Sequence, residues 1–167
     1  HDTAAVLDDI LTRHPEVDVV QIQLNYLDWD HPVIQSQACY EVCCKHNKPV
    51  IVMEPVKGGT LAKLPAEAEA LLRAHAPDSS PASWAVRFAA SQPGVAMVLS
   101  GMSTVQQVED NTSYMQAFEP LSEKELAILR QVREIVKAAV AVPCTACAYC
   151  VDGCPMQIPI PRYFSLF

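Results

Sequence analysis

Three short, strand-like runs, each preceded and followed by a helical pattern, constrain this chain more than any other feature. Asp18 to Tyr26, Val50 to Glu54 and Val95 to Leu99 are rich in Val, Ile and Met and short enough to be strands. Thr3 to His14 places Val6, Leu7, Ile10 and Leu11 on one helical face, with Pro15 behind it. Asp30 with Pro32 predicts a second helix to about Asn47. Pro65 to Ala76 reads as a third, and Ser80-Pro81 opens a fourth that Pro93-Gly94 ends. Ser103 or Thr104 caps a short helix to Asn111. Ser122 and Glu125 form a capping box ahead of a long helix carrying Leu126, Leu129, Val132 and Val136 as a stripe. The order α-β-α-β-α-β-α demands helical crossovers and hence parallel strands.

The first strand carries a second message. Val20, Ile22, Leu24 and Tyr26 take one face, and Gln21, Gln23 and Asn25 take the other. A parallel strand covered on both sides is normally apolar throughout. Unpaired buried amides cost about 1–3 kcal/mol each. One solvated sheet face would explain them. The βα alternation favours amides turned into a polar cavity at the carboxyl end of a barrel strand. Asp28, Trp29 and Asp30 follow and would line its mouth, although Asp30 also suits a helix N-cap.

Near the end of the chain stands Cys144-x2-Cys147-x2-Cys150-x3-Cys154-Pro155. Thiolates at i, i+3 and i+6 of a tight loop can each reach a different iron of one cubane, and the fourth, before proline, ligates the second cluster in two-cluster ferredoxins. Structural zinc draws on two separated knuckles more often than on four ligands within eleven residues. A disulfide framework suits short secreted chains. The reading is therefore an iron–sulfur ligand set: Cys144, Cys147, Cys150 and Cys154. The remaining three of the seven cysteines, Cys39, Cys43 and Cys44, read as small core hydrophobes. His14, His31, His46 and His75 fall at helix ends or in loops, where histidine commonly caps.

The 167 residues, half of them hydrophobic, suffice for a real core. A net charge of −7 with no basic run argues against nucleic-acid partners. No apolar stretch is long enough to span a bilayer, so no membrane partner is expected. A thiolate run in a chain with an odd cysteine count suits a reducing, cytoplasmic setting.

Val19 to Tyr26, Val50-Ile-Val-Met-Glu-Pro-Val-Lys-Gly-Gly-Thr-Leu61 and Val98-Leu-Ser-Gly-Met-Ser103 with Glu109-Asp-Asn111 resemble the last three strand–loop units of aldo/keto reductases. The cysteine run resembles the tail of the subfamily that carries a ferredoxin-like 4Fe-4S segment. The resemblance implies an α/β fold: a partial (β/α)8 TIM barrel over residues 1–120, then a mostly helical iron–sulfur segment over 121–167. It implies an NAD(P)-binding oxidoreductase acting on a small carbonyl or alcohol substrate, with a redox protein as a further partner. Gln21 matches the nicotinamide carboxamide contact and Met53 the ring that stacks on nicotinamide. Glu54, Val56, Lys57 and Gly58 match the pyrophosphate loop. Ser100, Gly101, Met102 and Ser103 match the adenosine ribose and phosphate loop, and Asp110 and Asn111 the adenine contacts. Without its flanks, Gly58-Gly59 would read as a plain turn. Met53 departs from the usual aromatic residue. Gly101 and Gln107 stand where NADP-preferring members carry Lys and Arg, so the resemblance gives no support for NADP over NAD.

The family's catalytic Asp, Tyr, Lys and His belong to earlier strands than these three, so no catalytic residue is assigned here. Three strands cannot close a barrel that takes eight and about 250 residues. The chain is accordingly expected to be an interior piece of a longer oxidoreductase, inactive towards carbonyls by itself. Two other readings compete: an electron-transfer or binding module that uses only the cluster, and a piece that dimerises to cover its sheet edges.

Overall fold

The computed structural model describes residues 2–139, 142, 144 and 148–164. Three parallel strands, β1 (Val20–Gln23), β2 (Val50–Met53) and β3 (Val95–Val98), lie in the order β1-β2-β3. Helices α1 (Ala4–Arg13) and α2 (Ser36–Lys45) flank β1 in sequence. A 3-10 turn (Lys57–Ala62), α3 (Ala66–His75) and α4 (Pro81–Ala90) connect β2 to β3, and α5 (Val105–Met115) and α6 (Glu123–Ala139) follow. Two short helices, α7 (Tyr149–Asp152) and α8 (Ile160–Phe164), complete the described chain. This is the parallel α/β arrangement of a partial TIM barrel.

Register explains the two sheet faces. Val20 pairs with Val50 and Val50 with Val95, while Gln21 pairs with Ile51 and Ile51 with Met97. Ala96 is the extra residue of a bulge in β3. Val20, Ile22, Val50 and Val52 are buried on the helix-covered face, in one core with Leu11, Leu72, Trp84 and Ala89. Gln21, Gln23, Ile51, Met53 and Met97 take the other face, where Met97 is 54% exposed. The α6 stripe joins the same core through Leu129, Val132 and Val136.

Local chemistry sets the ends of the elements. Thr3, Ser80 and Thr104 accept from Val6, Ser83 and Gln107 N–H groups, so three helices begin at side-chain caps. Of the two candidates it is Thr104, not Ser103, that caps α5, in a full capping box, and the helix runs past Asn111 to Met115. The Ser122–Glu125 box is present in both directions.

Two elements differ from expectation. The first strand stops at Gln23, because the Asn25 Oδ1 accepts from the Leu27 and Asp28 N–H groups and turns the chain. The second helix starts at Ser36, not near Asp30. His31 Nδ1 accepts from Val33 and Ile34, and Gln35 adopts a left-handed conformation at φ 55°. Asp30 is consequently no N-cap and instead pairs with Arg133 and Lys137.

Candidate functional site

The site grows from the carboxyl ends of the strands, where parallel α/β sheets place their ligands. The segment after β2 is the most constrained part of the backbone. Glu54, Lys57, Gly58 and Gly59 all have positive φ, at 57°, 48°, 59° and 93°. Glycine takes such angles freely, whereas at Glu54 and Lys57 each costs about 1 kcal/mol or more. Buried polar contacts hold them. The Asn25 amide donates to the Glu54 carbonyl at 3.1 Å. The Lys57 ammonium donates to both oxygens of Asp28 at 2.6 and 2.7 Å. The same carboxylate accepts from Asn25 at 3.0 Å and Gln23 at 3.1 Å. Asp28 and Lys57 are 2% and 7% exposed at their side chains, which makes this a desolvated ion pair, with both amides donating to the same Asp28 oxygen, Oδ2.

Sequence spacing gave no sign of the Lys57–Asp28 pair, since the two residues belong to separate loops. The one available signal was the row of amides ahead of Asp28. Asn25 lies past the strand end, fully buried, and with Gln23 it serves this carboxylate. The outcome is a polar cluster at the strand's carboxyl end, not three amides lining one strand face.

Above the glycine turn lies a cleft of about 400 Å³. Glu54, Val56, Gly58, Ser100, Gly101, Met102, Asp110 and Asn111, all sequence candidates, line it together with Gly59, Leu99 and Gln107. The candidates thus converge from three elements. The Asn111 amide donates to Ser100 Oγ at 2.8 Å, and its carbonyl accepts from Tyr114 at 2.6 Å, so the serine is fixed from behind. Burial first, and the charge of Asp110 second, push the Tyr114 hydroxyl well above its ordinary value, so it stays a donor. Asp110 accepts from Ser80 Oγ at 2.6 Å, which anchors α5 to the start of α4. Ser103 sits at the rim, bonded to Gln107.

The other candidates stand apart from this cleft. Gln21 and Met53 lie on the open sheet face, bordering a second cavity of about 200 Å³, and the Gln21 amide approaches Met53 Sδ at 3.3 Å. Lys57 turns away from the cleft towards Asp28. With Asp28, His31, Thr60, Lys137 and Cys144 it borders a third cavity of about 370 Å³. One loop therefore serves two cavities: Glu54, Val56 and the glycines face the cleft, and Lys57 and Thr60 face the space that Cys144 borders.

Of the cysteine run, Cys144 and Cys150 are exposed and Cys154 partly buried, while Cys147 lies outside the described residues. Backbone amides of Ile158, Met156 and Gln157 hold the Cys154 thiol below its ordinary value and favour the thiolate, the ligand form. Among the described residues, no three His, Cys, Asp or Glu side chains converge on a common metal position. The donor chemistry suits an iron–sulfur group. Cys39 and Cys43 are buried as expected of core thiols, and burial pushes Cys43 up to about 11, but Cys44 is exposed. His14 and His46 occupy helix C-caps.

Comparison with known proteins bears on the whole arrangement. The model of the aldo/keto reductase family matches residues 1–134. The fold is similar to the aldo-keto reductase AKR11C1 from Bacillus halodurans. In its holo form the TM-score is 0.58 at 22% identity, covering 76% of this chain and 46% of that one. The apo form gives 0.55 at 23%, covering 76% and 47%. A thermostable aldo-keto reductase, Tm1743, solved with the inhibitor epalrestat, gives 0.50 at 18%, covering 67% and 38%. The chain thus spans less than half the length of these solved structures. No curated protein matches it. Among the described residues no helix is long and apolar enough to cross a membrane.

Proposed function

The chain belongs to the aldo/keto reductase family, and on that premise we propose that it supplies the cofactor-binding side of an oxidoreductase whose cysteine run carries electrons. The observation behind this reading is the 400 Å³ cleft, where eight of the twelve residues matched to nicotinamide-dinucleotide contacts meet. A bound NAD(P) would supply hydride transfer to or from a carbonyl or alcohol, and a 4Fe-4S cluster on Cys144, Cys147, Cys150 and Cys154 would supply one-electron transfer.

The chain's own residues have binding and positioning roles. The Gly58-Gly59 turn brings backbone close to an entering pyrophosphate, and the buried Asp28–Lys57 pair fixes the loop that carries it. Asn111 holds the Ser100 hydroxyl in place at the cleft wall. Gln21 offers an amide on the open sheet face beside Met53. Among the described residues the cleft lining contains no Tyr, His or Lys, and its Asp110 carboxylate is engaged by Ser80, so binding and orientation are the roles assigned to it. Cys154, whose thiol is lowered from its ordinary value by neighbouring backbone amides, would be one of the cluster's ligands. The loop shared by the cleft and the Cys144 cavity supports coupling between the two chemistries.

The test combines anaerobic reconstitution, iron and sulfide analysis and titration with NADH. About four irons per chain, lost in Cys147→Ser, together with saturable NADH binding, are expected. Iron without nucleotide binding would leave an electron-transfer module. Nucleotide binding without iron would leave the reductase reading and remove the cluster.

A further inference from the structure

A fourth cavity, of about 240 Å³, lies between α6, α4 and the loop after β1, and it shares no lining residue with the cleft. Its inner wall is a set of rings at right angles. Trp29 meets Phe88 with centroids 5.4 Å apart and planes at 89°, and Tyr26 meets the same Phe88 at 6.1 Å and 83°. Ring edges and faces arranged in this way accept a further flat ring. Opposite them α6 presents Leu126, Leu129 and two cations three residues apart, Arg130 and Arg133.

The polar groups of this cavity are not fully used. Arg133 donates one terminal guanidinium nitrogen to Asp30 at 2.7 Å and its Nε to Glu134 at 3.4 Å, which orients it and leaves its other terminal nitrogen without a partner among the described residues. Arg130, exposed at the rim, has neither ion pair nor hydrogen bond among the described residues. The Tyr26 hydroxyl, on a residue only 2% exposed, likewise has no partner among them. Burial pushes it well above its ordinary value, so it is a donor lacking an acceptor. Because Asp30 already balances Arg133, the cavity carries one uncompensated positive charge, that of Arg130, which suits a monoanion better than a phosphate dianion. Its volume is below the roughly 300–1,000 Å³ of drug-sized sites and fits a single ring with short substituents.

We propose that this cavity binds a small aromatic carboxylate, with its ring against Trp29 and Phe88, its carboxylate on Arg130 and Arg133, and a polar oxygen at the far end of the ring accepting from Tyr26. The site is independent of the dinucleotide reading of the cleft.

The experiment is calorimetric titration of the 167-residue chain with para-hydroxybenzoate, benzoate, benzyl alcohol and phenyl phosphate. The variants are Arg130→Gln, which alters an exposed side chain, and Tyr26→Phe, which keeps the ring, each checked for folding by circular dichroism. Para-hydroxybenzoate is expected to saturate one site per chain with a Kd of about 1 mM or below, more tightly than benzoate. Arg130→Gln should weaken both carboxylates by about tenfold. Tyr26→Phe should weaken para-hydroxybenzoate by about fivefold and leave benzoate unchanged. Benzyl alcohol binding as tightly as benzoate, or phenyl phosphate binding more tightly than either carboxylate, would overturn the ligand class. Carboxylate binding that Arg130→Gln leaves intact would place it elsewhere on the molecule and overturn the site, as would the absence of saturable binding by any of the four probes.

Discussion

At the residue scale the most consequential feature is the Asp28–Lys57 pair, and it was nearly invisible in the sequence. A match to a phosphate-binding loop places Lys57 at the cofactor, and nothing in its neighbours says that it will turn inward. What turns it is a carboxylate 29 positions away, itself preorganised by Asn25 and Gln23. Burying two charges is favourable only as a complete set, so removing one partner leaves the other stranded. Lys57→Met should therefore destabilise the chain by about 3 kcal/mol in urea unfolding, with the melted loop also weakening the cleft. The double variant Asp28→Leu with Lys57→Met should lose less than the sum of the singles. A loss well under 1 kcal/mol in Lys57→Met would mean that the pair is not the desolvated interaction its burial describes.

Elements were legible where a local signal sufficed. The capping residues Ser80, Thr104 and Ser122 each stand where the sequence put a helix start, because a side-chain oxygen three residues before a free N–H is a strictly local event. The beginnings of α2 and the end of β1 were not legible. Both depend on single side chains, His31 and Asn25, folding back on their own backbone in preference to continuing the regular structure. Element α6 shows how a local signal acquires a global partner: Glu125 caps Ser122 and also receives Arg87 from α4 at 3.0 Å. Burial opposes its ionisation, but the Ser122 N–H and hydroxyl and the Arg87 guanidinium outweigh that and hold its carboxyl below the ordinary 4.5. A carboxyl depressed in the folded state contributes stability that is complete above its unfolded value and is lost as pH falls through the folded one. Glu125→Gln should lower the urea midpoint near neutral pH, and the difference from the unmodified chain should shrink below about pH 4.5. A difference that stays constant from neutral to acid would show that packing, not the charge, carries the contribution of Glu125.

For the whole molecule, the sequence divides at residue 120 by motif, with barrel-like units before it and the cysteine-bearing segment after it, whereas the hydrophobic core crosses that line. Leu129, Val132 and Val136 of α6 share a core with Trp84 of α4 and Leu72 of α3, and Arg133 and Lys137 reach back to Asp30 at the mouth of β1. A helical stripe reveals in the sequence that α6 buries one face, but not against what, because nothing local distinguishes a neighbour in the same core from one in a separate tail. The consequence is cooperative: α6 cannot be loosened without exposing the interior of the three-stranded unit. Val132 is fully buried, so Val132→Asp puts an unpaired carboxylate into that interior. Helical circular dichroism and the fluorescence of Trp84, itself fully buried, should then collapse together in a single transition at lower urea. Loss of helical signal in Val132→Asp with the emission of the buried tryptophan unchanged would show the opposite, that the units before residue 120 hold their core without α6 and that the motif boundary is also a folding boundary.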